Sequence, residues 1–294
     1  MTTADATTPS PCSLWSDLPR RLGTIVIGFP IVVVLLLQCP LLFFQGVHAI
    51  CAMEYAKLSL SDKASSLSDT ASSSSSPWPF VLVSMGVAQL GIKANDELIL
   101  PILLSGFVLL FFWNGSHSIL QQQQHHDTQG ILVVTLPMTI WYKIATTQST
   151  PHVVTLLLIC WNCDTGALLV GRMIQMTLTP SYQPQWLRRI SPAKTIAGMM
   201  GGIGLGTTTA VLLPLLWKLC GINNEQHWWN KPNAIHHGIG LALLAVIGDL
   251  MESAIKRQSN QKDSSTLLPG HGGILDRFDS TLLAVIYYYF CIVR

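Results

Sequence analysis

The sequence predicts an all-α, polytopic integral membrane protein with about nine transmembrane helices. Of its 294 residues, 49% are hydrophobic and 11% are charged, whereas a soluble domain carries about 25% charged residues. The apolar residues form long runs divided by polar segments, and about 20 apolar residues suffice for a helix to cross a ~30 Å bilayer core. With the N-terminus inside, most lysines and arginines between nine helices fall in the inner loops, as the positive-inside rule requires.

The first apolar run, about residues 23–56, is too long for one crossing and has Pro40 near its middle, where a helix kinks or breaks. We therefore predict two helices, at 22–38 and 40–57. The further candidate helices are at 79–92, 97–113, 131–146, 152–172, 195–219, 233–255 and 281–293. The shortest of them, at 79–92, 131–146 and 281–293, also fit tilted or re-entrant segments.

Composition divides the chain into three parts. Residues 1–21 are a polar N-terminal extension without the cleavage site of a signal peptide. Residues 22–150 hold the N-terminal transmembrane helices and a Ser-rich loop at 59–77, which is too polar to bury a core. Residues 151–294 form a transmembrane region that holds most of the charged motifs, which we expect to be catalytic.

Charge and cysteine usage exclude some functions. The net charge is +2, and no basic face stands apart from the membrane loops, so the protein is not a nucleic-acid binder. The seven cysteines are scattered, mostly in apolar runs, where they behave as small hydrophobes. Cys160 and Cys163 have the spacing of a redox pair, but their apolar helix disfavours redox or metal chemistry.

The segment from Ser253 to Asp279 is the most informative part of the chain. It gathers basic, acidic and glycine residues between two apolar runs, and charge so close to a bilayer is costly and usually functional. Carboxylates suit Mg²⁺, and lysine and arginine suit phosphate. The glycines at 270, 272 and 273 predict a tight turn whose N–H groups bind an anion, and His271 within it is a candidate donor to phosphate.

Three aspartates from two predicted helices can converge on one cation. Asp249 lies near the end of one helix, while Asp276 and Asp279, three residues apart, open the last helix. Mg²⁺ prefers a few carboxylates together with waters and substrate phosphates, so this pattern is typical of phosphoryl or nucleotidyl transfer. The alternative is an ion-pair network of these aspartates with the basic residues Lys256, Arg257, Lys262 and Arg277.

Two motifs upstream carry further polar side chains. In WNCDTGALLVGR, residues 161–172, Asp164 lies in an apolar helix and must face a wet cavity or a partner on a neighbouring helix. In RRISPAKT, residues 188–195, Ser191 is the predicted N-cap of the next helix. Lys194 then suits a phosphate, unless the loop serves to bind lipid headgroups.

A glycine stripe follows. Gly198, Gly202 and Gly206 share one helix face, which favours close helix packing over direct contact with substrate.

These motifs together resemble a known family. The pattern SAIKR, KD and LPGHGGILDRFD between Ser253 and Asp279 resembles the signature of the phosphatidate cytidylyltransferases (CDP-diacylglycerol synthases) without departure. CDTGALLVGR at 163–172 and ISPAKTIAGMMGG at 190–202 are similar to two further family segments. RLGTIVIGFP and the stretch around Glu54 match more weakly. Ala193 and Ala197 depart from the family, which usually has Lys and Glu there.

The resemblance implies an Mg²⁺-dependent transfer of the cytidylyl group from CTP to phosphatidate, with pyrophosphate released. It implies metal binding by Asp249, Asp276 and Asp279, and places Asp164 and Lys194 in the nucleotide and phosphate region. Our predicted catalytic residues are Asp249, Asp276, Lys256 and His271. Our predicted substrate-binding residues are Asn162, Asp164, Lys194, Arg257, Lys262, Gly272, Gly273 and Arg277.

Two alternatives stay open. A CTP-dependent kinase of a lipid alcohol would transfer the γ-phosphate instead, and a degenerate protein that binds or transports ligands would explain Ala193 and Ala197. The expected partners are CTP, phosphatidate and membrane lipid; a homodimer and a second cation are compatible with the sequence. The membrane in which the protein resides stays open: a bacterial inner membrane and the membranes of a plastid, a mitochondrion or the endoplasmic reticulum are all compatible with the sequence.

Overall fold

The computed structural model describes residues 18–66, 77–93, 128–148, 150–177, 183–221, 231–268 and 272–293. Throughout these ranges the regular structure is helical, and the described residues contain no strand beyond one isolated antiparallel bridge between Leu268 and Gly272. The predicted all-α class is therefore confirmed. The predicted helix at 97–113 lies outside the described residues.

Most helix bounds lie within five residues of the predicted ones. The second helix, however, continues to Ser66, so the predicted Ser-rich loop at 59–77 begins as helix, and the last helix starts at Leu275, six residues before its predicted start. In chain order the helices are α1 (Leu18–Gln38), α2 (Pro40–Ser66), α3 (Trp78–Lys93), α4 (Leu136–Thr147), α5 (Thr150–Thr177), α6 (Gln185–Ile190), α7 (Ile196–Leu219), α8 (Lys231–Gln258) and α9 (Leu275–Tyr288). A π-helical turn, Ile131–Thr135, leads into α4, and another, Tyr289–Val293, follows α9. Pro40 begins α2, as expected at a first helical position. The short α6 was not predicted.

Among the described residues, four helical segments are long and apolar enough to cross a membrane, which makes this a membrane protein. They are Thr128–Thr147, Thr150–Ile174, Ile196–Leu219 and Asn233–Gln258, and Trp78–Gln89 is a shorter apolar stretch. Large apolar side chains such as Leu37, Leu215 and Ile239 are exposed along the helices, as on a lipid-facing surface. These four spans do not confirm the predicted count of nine.

The core is centred on α4, one of the helices predicted to be short. Its side chains Ile140, Trp141 and Ile144 are completely buried. Trp141 stacks on Phe44 of α2 with ring centroids 4.9 Å apart. Around this centre α2 and α3 lie on one side, while α9 contacts α4, α2, α5 and α8. The last helix therefore joins the N-terminal helices to the C-terminal ones.

The predicted glycine stripe packs α7 closely against α5. Gly198, Gly202 and Gly206 are all buried. A Cβ atom added at Gly202 would lie 2.6 Å from the carbonyl oxygen of Cys163, so the two backbones touch where larger residues would hold them apart. This contact brings Asp164, next to Cys163, close to the start of α7.

We predict that Gly202→Ala lowers the apparent unfolding temperature of the detergent-solubilised protein, because overpacking a close contact costs about 1–3 kcal/mol. The matched control is Gly204→Ala on the same helix, where an added Cβ meets no atom within 4 Å. That variant should be as stable as the parent or slightly more so, since alanine favours helix over glycine. Equal unfolding temperatures for the two variants would contradict the packing described here.

Candidate active site

A cavity of about 370 Å³ opens between α5, α7 and α8, within the range of about 300–1,000 Å³ typical of small-molecule sites. Its wall combines apolar side chains with charges of both signs. It is lined by Cys163, Asp164, Ala167, Leu168, Gly171, Arg172, Ala193, Lys194, Thr195, Gly198, Met199, Val246 and Asp249. The cavity brings together three of the predicted site residues, Asp164, Lys194 and Asp249. Arg172 adds a second cation to the lining.

An ion pair between Lys194 Nζ and Asp249 Oδ2 crosses this cavity. The two side chains are 23% and 24% exposed, but the Nζ atom of Lys194 is itself buried, and a ligand would have to displace Asp249 to reach it. Lys194 is held by the turn before α7, where the Gln183 amide donates to its carbonyl oxygen at 2.7 Å. The segment before α7 also contacts the end of α8, since Arg257 Nε donates to the carbonyl oxygen of Ile190 at 3.2 Å.

The N-cap of α7 differs from the prediction. Thr195, not Ser191, caps the helix, with its hydroxyl accepting from the N–H of Gly198 at 3.1 Å. Ser191 instead ends α6, where its N–H donates to the carbonyl oxygen of Leu187 at 2.8 Å. The prediction of Ser191 as the N-cap was wrong because α6 was not foreseen. Lys194 therefore precedes the cap, and its side chain reaches the cavity from outside the helix.

Asp164 satisfies both predicted possibilities, because it lines the cavity and has a partner on another helix. The hydroxyl of Ser280 in α9 donates to Asp164 Oδ2 at 2.9 Å. The neighbouring Asp279 is buried and lies within electrostatic range of Asp164 and Asp249. Gly248 permits this approach, since a Cβ there would come within 2.6 Å of the Asp279 carbonyl oxygen.

A second charged cluster is buried beside the first. Lys256 Nζ lies 2.5 Å from Glu252 Oε2 and 2.8 Å from Asp276 Oδ1. Asp276 also accepts from the N–H of Gly273 at 2.7 Å and from that of Ser264 at 3.0 Å. Burial alone would raise the pKa of Asp276, but the bonds from Lys256 and Gly273 hold the pKa of this carboxyl below its ordinary value. The predicted alternative of an ion-pair network is thus realised for Lys256 and Asp276.

Glu54 of α2 is the main site residue that was not predicted. Its carboxylate is buried and accepts four hydrogen bonds from the segment that precedes and opens α9. The donors are the hydroxyls of Ser264 and Ser265, at 3.0 and 2.6 Å, and the N–H groups of Ile274 and Leu275, at 3.1 and 2.7 Å. More than 200 residues separate Glu54 from these donors, so sequence spacing gave no sign of the contact. The signals were an acidic residue within an apolar helix and the weak family match around Glu54.

The glycine turn is described in part. Gly272 has a φ of +77°, a left-handed conformation that favours glycine, and His271 lies outside the described residues. The N–H of Gly273 donates to Asp276, and those of the next two residues donate to Glu54. These N–H groups, which were expected to bind a substrate anion, therefore bind carboxylates of the protein itself.

Other predicted binding residues lie apart from the cavity lining. Asn162 donates to the hydroxyl of Thr209 at 3.1 Å and so joins α5 to α7. Lys262 is exposed and lines a second pocket of about 300 Å³ together with Lys57. Arg277 is exposed and lies within electrostatic range of Asp164.

The carboxylates of the site differ in how well they could bind a divalent cation. Among the described residues no group of three or more His, Cys, Asp or Glu side chains is arranged to hold a metal. Both oxygens of Asp276 already accept hydrogen bonds. Asp249 and Asp279 approach each other from adjacent helices. Mg²⁺ needs only one or two carboxylates when substrate phosphates complete its shell, so Asp249 and Asp279 are the residues that would hold it.

The helices and the cavity define a class of protein, a helical membrane protein whose acidic and basic side chains meet at a site suited to phosphate ligands. The profile of the cytidylyltransferase family matches residues 19–293. The chain therefore belongs to the cytidylyltransferase family, and the family predicted from the sequence is confirmed.

Individual relatives match over shorter stretches. The chain is 34% identical over 163 residues to a phosphatidate cytidylyltransferase of Rickettsia typhi, which covers 54% of this chain and 66% of that protein. It is 36% identical over 137 residues to one of Bacillus subtilis, covering 45% and 44% respectively. The uncharacterized protein YnbB of Escherichia coli is 30% identical over 226 residues, covering 72% and 70%. The chain thus spans between 44% and 70% of the length of these relatives.

We predict that Lys256→Met destabilises the protein by about 3–5 kcal/mol, because it leaves the buried Glu252 and Asp276 without a cation. Thermal unfolding in detergent measures the effect. The control is Arg257→Met at the adjacent exposed position, which should change stability by less than about 0.5 kcal/mol. A Lys256→Met variant as stable as the control would show that the buried cluster does not need its lysine.

Proposed function

We propose that this protein is a phosphatidate cytidylyltransferase, which converts CTP and phosphatidate to CDP-diacylglycerol and pyrophosphate. The observation that carries the proposal is the partly exposed Lys194–Asp249 ion pair in a cavity that Asp164 and Arg172 also line. Membership of the cytidylyltransferase family supports the nucleotidyl chemistry. The names of the relatives from Rickettsia and Bacillus support phosphatidate as the acceptor.

The ion pair suits exchange with a phosphate ligand. A substrate phosphate can replace the Asp249 carboxylate as the partner of Lys194, and Arg172 adds a second positive charge to the same wall. Charge-assisted bonds from both cations would draw together two anionic substrates that otherwise repel each other. The free Asp249 carboxylate would then face the bound phosphates.

The reaction needs positioning more than a protein nucleophile. An oxygen of the phosphatidate phosphate, which is already anionic, forms a bond to the α-phosphorus of CTP. The bond from that phosphorus to the oxygen bridging to the β-phosphate breaks, and pyrophosphate leaves with that bonding electron pair. No net proton transfer to the protein is needed, so the basic residues of the cavity act by holding the two phosphates in line.

Mg²⁺ is the cofactor we propose, held by Asp249 and Asp279, with Asp276 beside them in the first turn of α9. When bound, it would neutralise negative charge on the phosphate oxygens and the departing pyrophosphate. Asp164, which is hydrogen-bonded to Ser280, stays near these carboxylates and adds negative charge that favours a cation there.

The lipid would reach this site from the side, within the membrane. Leu168, Met199 and Val246 give the cavity an apolar wall, and Met200 and Trp186 are exposed on the neighbouring helices. CTP would reach the charged residues of the cavity from the aqueous phase. The acyl chains can thus stay in lipid while the headgroup meets the charged residues.

We predict that the purified protein forms CDP-diacylglycerol from CTP and phosphatidate in mixed micelles, measured by mass spectrometry of the extracted lipid. Lys194→Ala should lower kcat/KM by about 30-fold or more, since losing a charge-assisted contact to the substrate phosphate within the cavity costs at least ~2 kcal/mol.

Lys218→Ala, in the last turn of the same helix α7, is the matched control and should keep full activity. A protein that forms no liponucleotide under these conditions, or a Lys194→Ala variant as active as this control, would contradict the proposal. A phosphorylated lipid alcohol as the product would identify the kinase alternative instead.

A further inference from the structure

Glu54 belongs to the N-terminal helices, but its contacts are with the segment that carries the predicted site residues. Its side chain is 3% exposed, and each of its two oxygens accepts one hydroxyl and one backbone N–H from residues 264–275. It lies outside the lining of the cavity. Since a buried carboxylate is costly unless it is fully hydrogen-bonded, these four donors fix the loop and Glu54 to each other.

Glu54 and Asp276 accept hydrogen bonds from the same or adjacent residues. The hydroxyl of Ser264 donates to Glu54, while its N–H donates to Asp276. The N–H of Gly273 donates to Asp276, and the N–H of Ile274, the next residue, donates to Glu54. If the Glu54 carboxylate is displaced, Ser264 and the backbone at Gly273 and Ile274 move with it, and these groups also hold Asp276. The same holds in the opposite direction.

The Glu54 carboxylate is packed tightly against Gly273 and Ser264. Gly273 is buried, and a Cβ added there would lie only 2.6 Å from Glu54 Oε2 and would also overlap the hydroxyl of Ser264. Asp276 is bound to Lys256 on its other side. The start of α9 is thus held from α2 by Glu54 and from α8 by Lys256.

We propose that Glu54 is a positioning residue for the transfer reaction, which acts by fixing Ser264, Ser265, Ile274 and Leu275 and, through them, Asp276 and Asp279. This inference rests on the proposed function. It means that α2 completes a site whose strongest motifs lie in the C-terminal half of the chain. Glu54 itself touches no substrate.

The test compares Glu54→Gln with a control that weakens the N-terminal helices elsewhere. Ser84→Ala breaks a buried chain in which Ser84 bonds His48 at 2.8 Å and Thr135 at 2.7 Å, without touching residues 264–275. In Glu54→Gln an amide NH₂ faces two of the four donors. We expect kcat to fall about 100-fold, as for a small misplacement of reacting groups, with KM for CTP nearly unchanged. The control should keep the parental kcat.

A second readout follows the loop directly. Hydrogen exchange of the peptide containing Ile274 and Leu275 should accelerate in Glu54→Gln but not in Ser84→Ala, and Glu54→Asp should recover part of both kcat and protection. If Glu54→Gln does not fold, Ser265→Ala removes a single donor and should lower kcat about tenfold, the equivalent of one hydrogen bond. Parental kcat in the variant that is tested would overturn the inference.

The failure of this inference can be separated from failure of the proposed function. If the parent protein makes no product from CTP and phosphatidate, the proposed function fails, and the exchange measurement alone then decides about Glu54. Parental exchange at residues 274 and 275 in Glu54→Gln overturns the positioning role whatever the reaction is. Accelerated exchange together with lost turnover supports it.

Discussion

The ion pair between Lys256 and Asp276 joins α8 to α9 at the point where the carboxylates of the site are buried. Removing one partner of a buried pair costs several kcal/mol, because the other charge stays behind without compensation. Glu252 depends on the same lysine, and the loop before α9 depends on Asp276 through two backbone N–H groups. The position of the last helix, and of Asp279 in it, therefore follows from this one pairing.

The two ion pairs of the site differ in exposure, and this difference separates support from ligand binding. The side chains of Lys256, Glu252 and Asp276 are 11%, 2% and 6% exposed, so water and ligands scarcely reach them. Lys194 and Asp249 are about a quarter exposed and line the cavity. An incoming phosphate can compete for Lys194 but not for Lys256. The buried cluster thus keeps the geometry fixed while the exposed pair exchanges its partners.

Much of this arrangement could be predicted from local patterns. Apolar run lengths and Pro40 predicted the bounds of most helices, and isolated charges in apolar helices indicated Asp164 and Asp249. Glu54 was missed because its contacts span more than 200 residues, and no spacing rule connects an acid in α2 to serines before α9. The N–H groups near Gly273 were expected to bind an anion of the substrate. Their partners are protein carboxylates, and only the tertiary contacts reveal this.

The error at the start of α7 has a similar cause. Ser191 and Pro192 form a good N-cap pattern in isolation, but the unforeseen α6 uses Ser191 as its end, and the chain needs a further turn before Thr195 can cap α7. That turn is what carries Lys194 into the cavity. Local propensity located the helix within a few residues, whereas the path of the connection decided which side chain reaches the ligand site.

The site is proposed to transfer the cytidylyl group of CTP to the lipid rather than its terminal phosphate. Parallel reactions with CTP labelled at the α-phosphate and at the γ-phosphate test it most directly, with phosphatidate as acceptor. We expect the α label in the lipid extract and the γ label in released pyrophosphate. Recovery of the γ label in the lipid, with the α label left in soluble CDP, would contradict the claim.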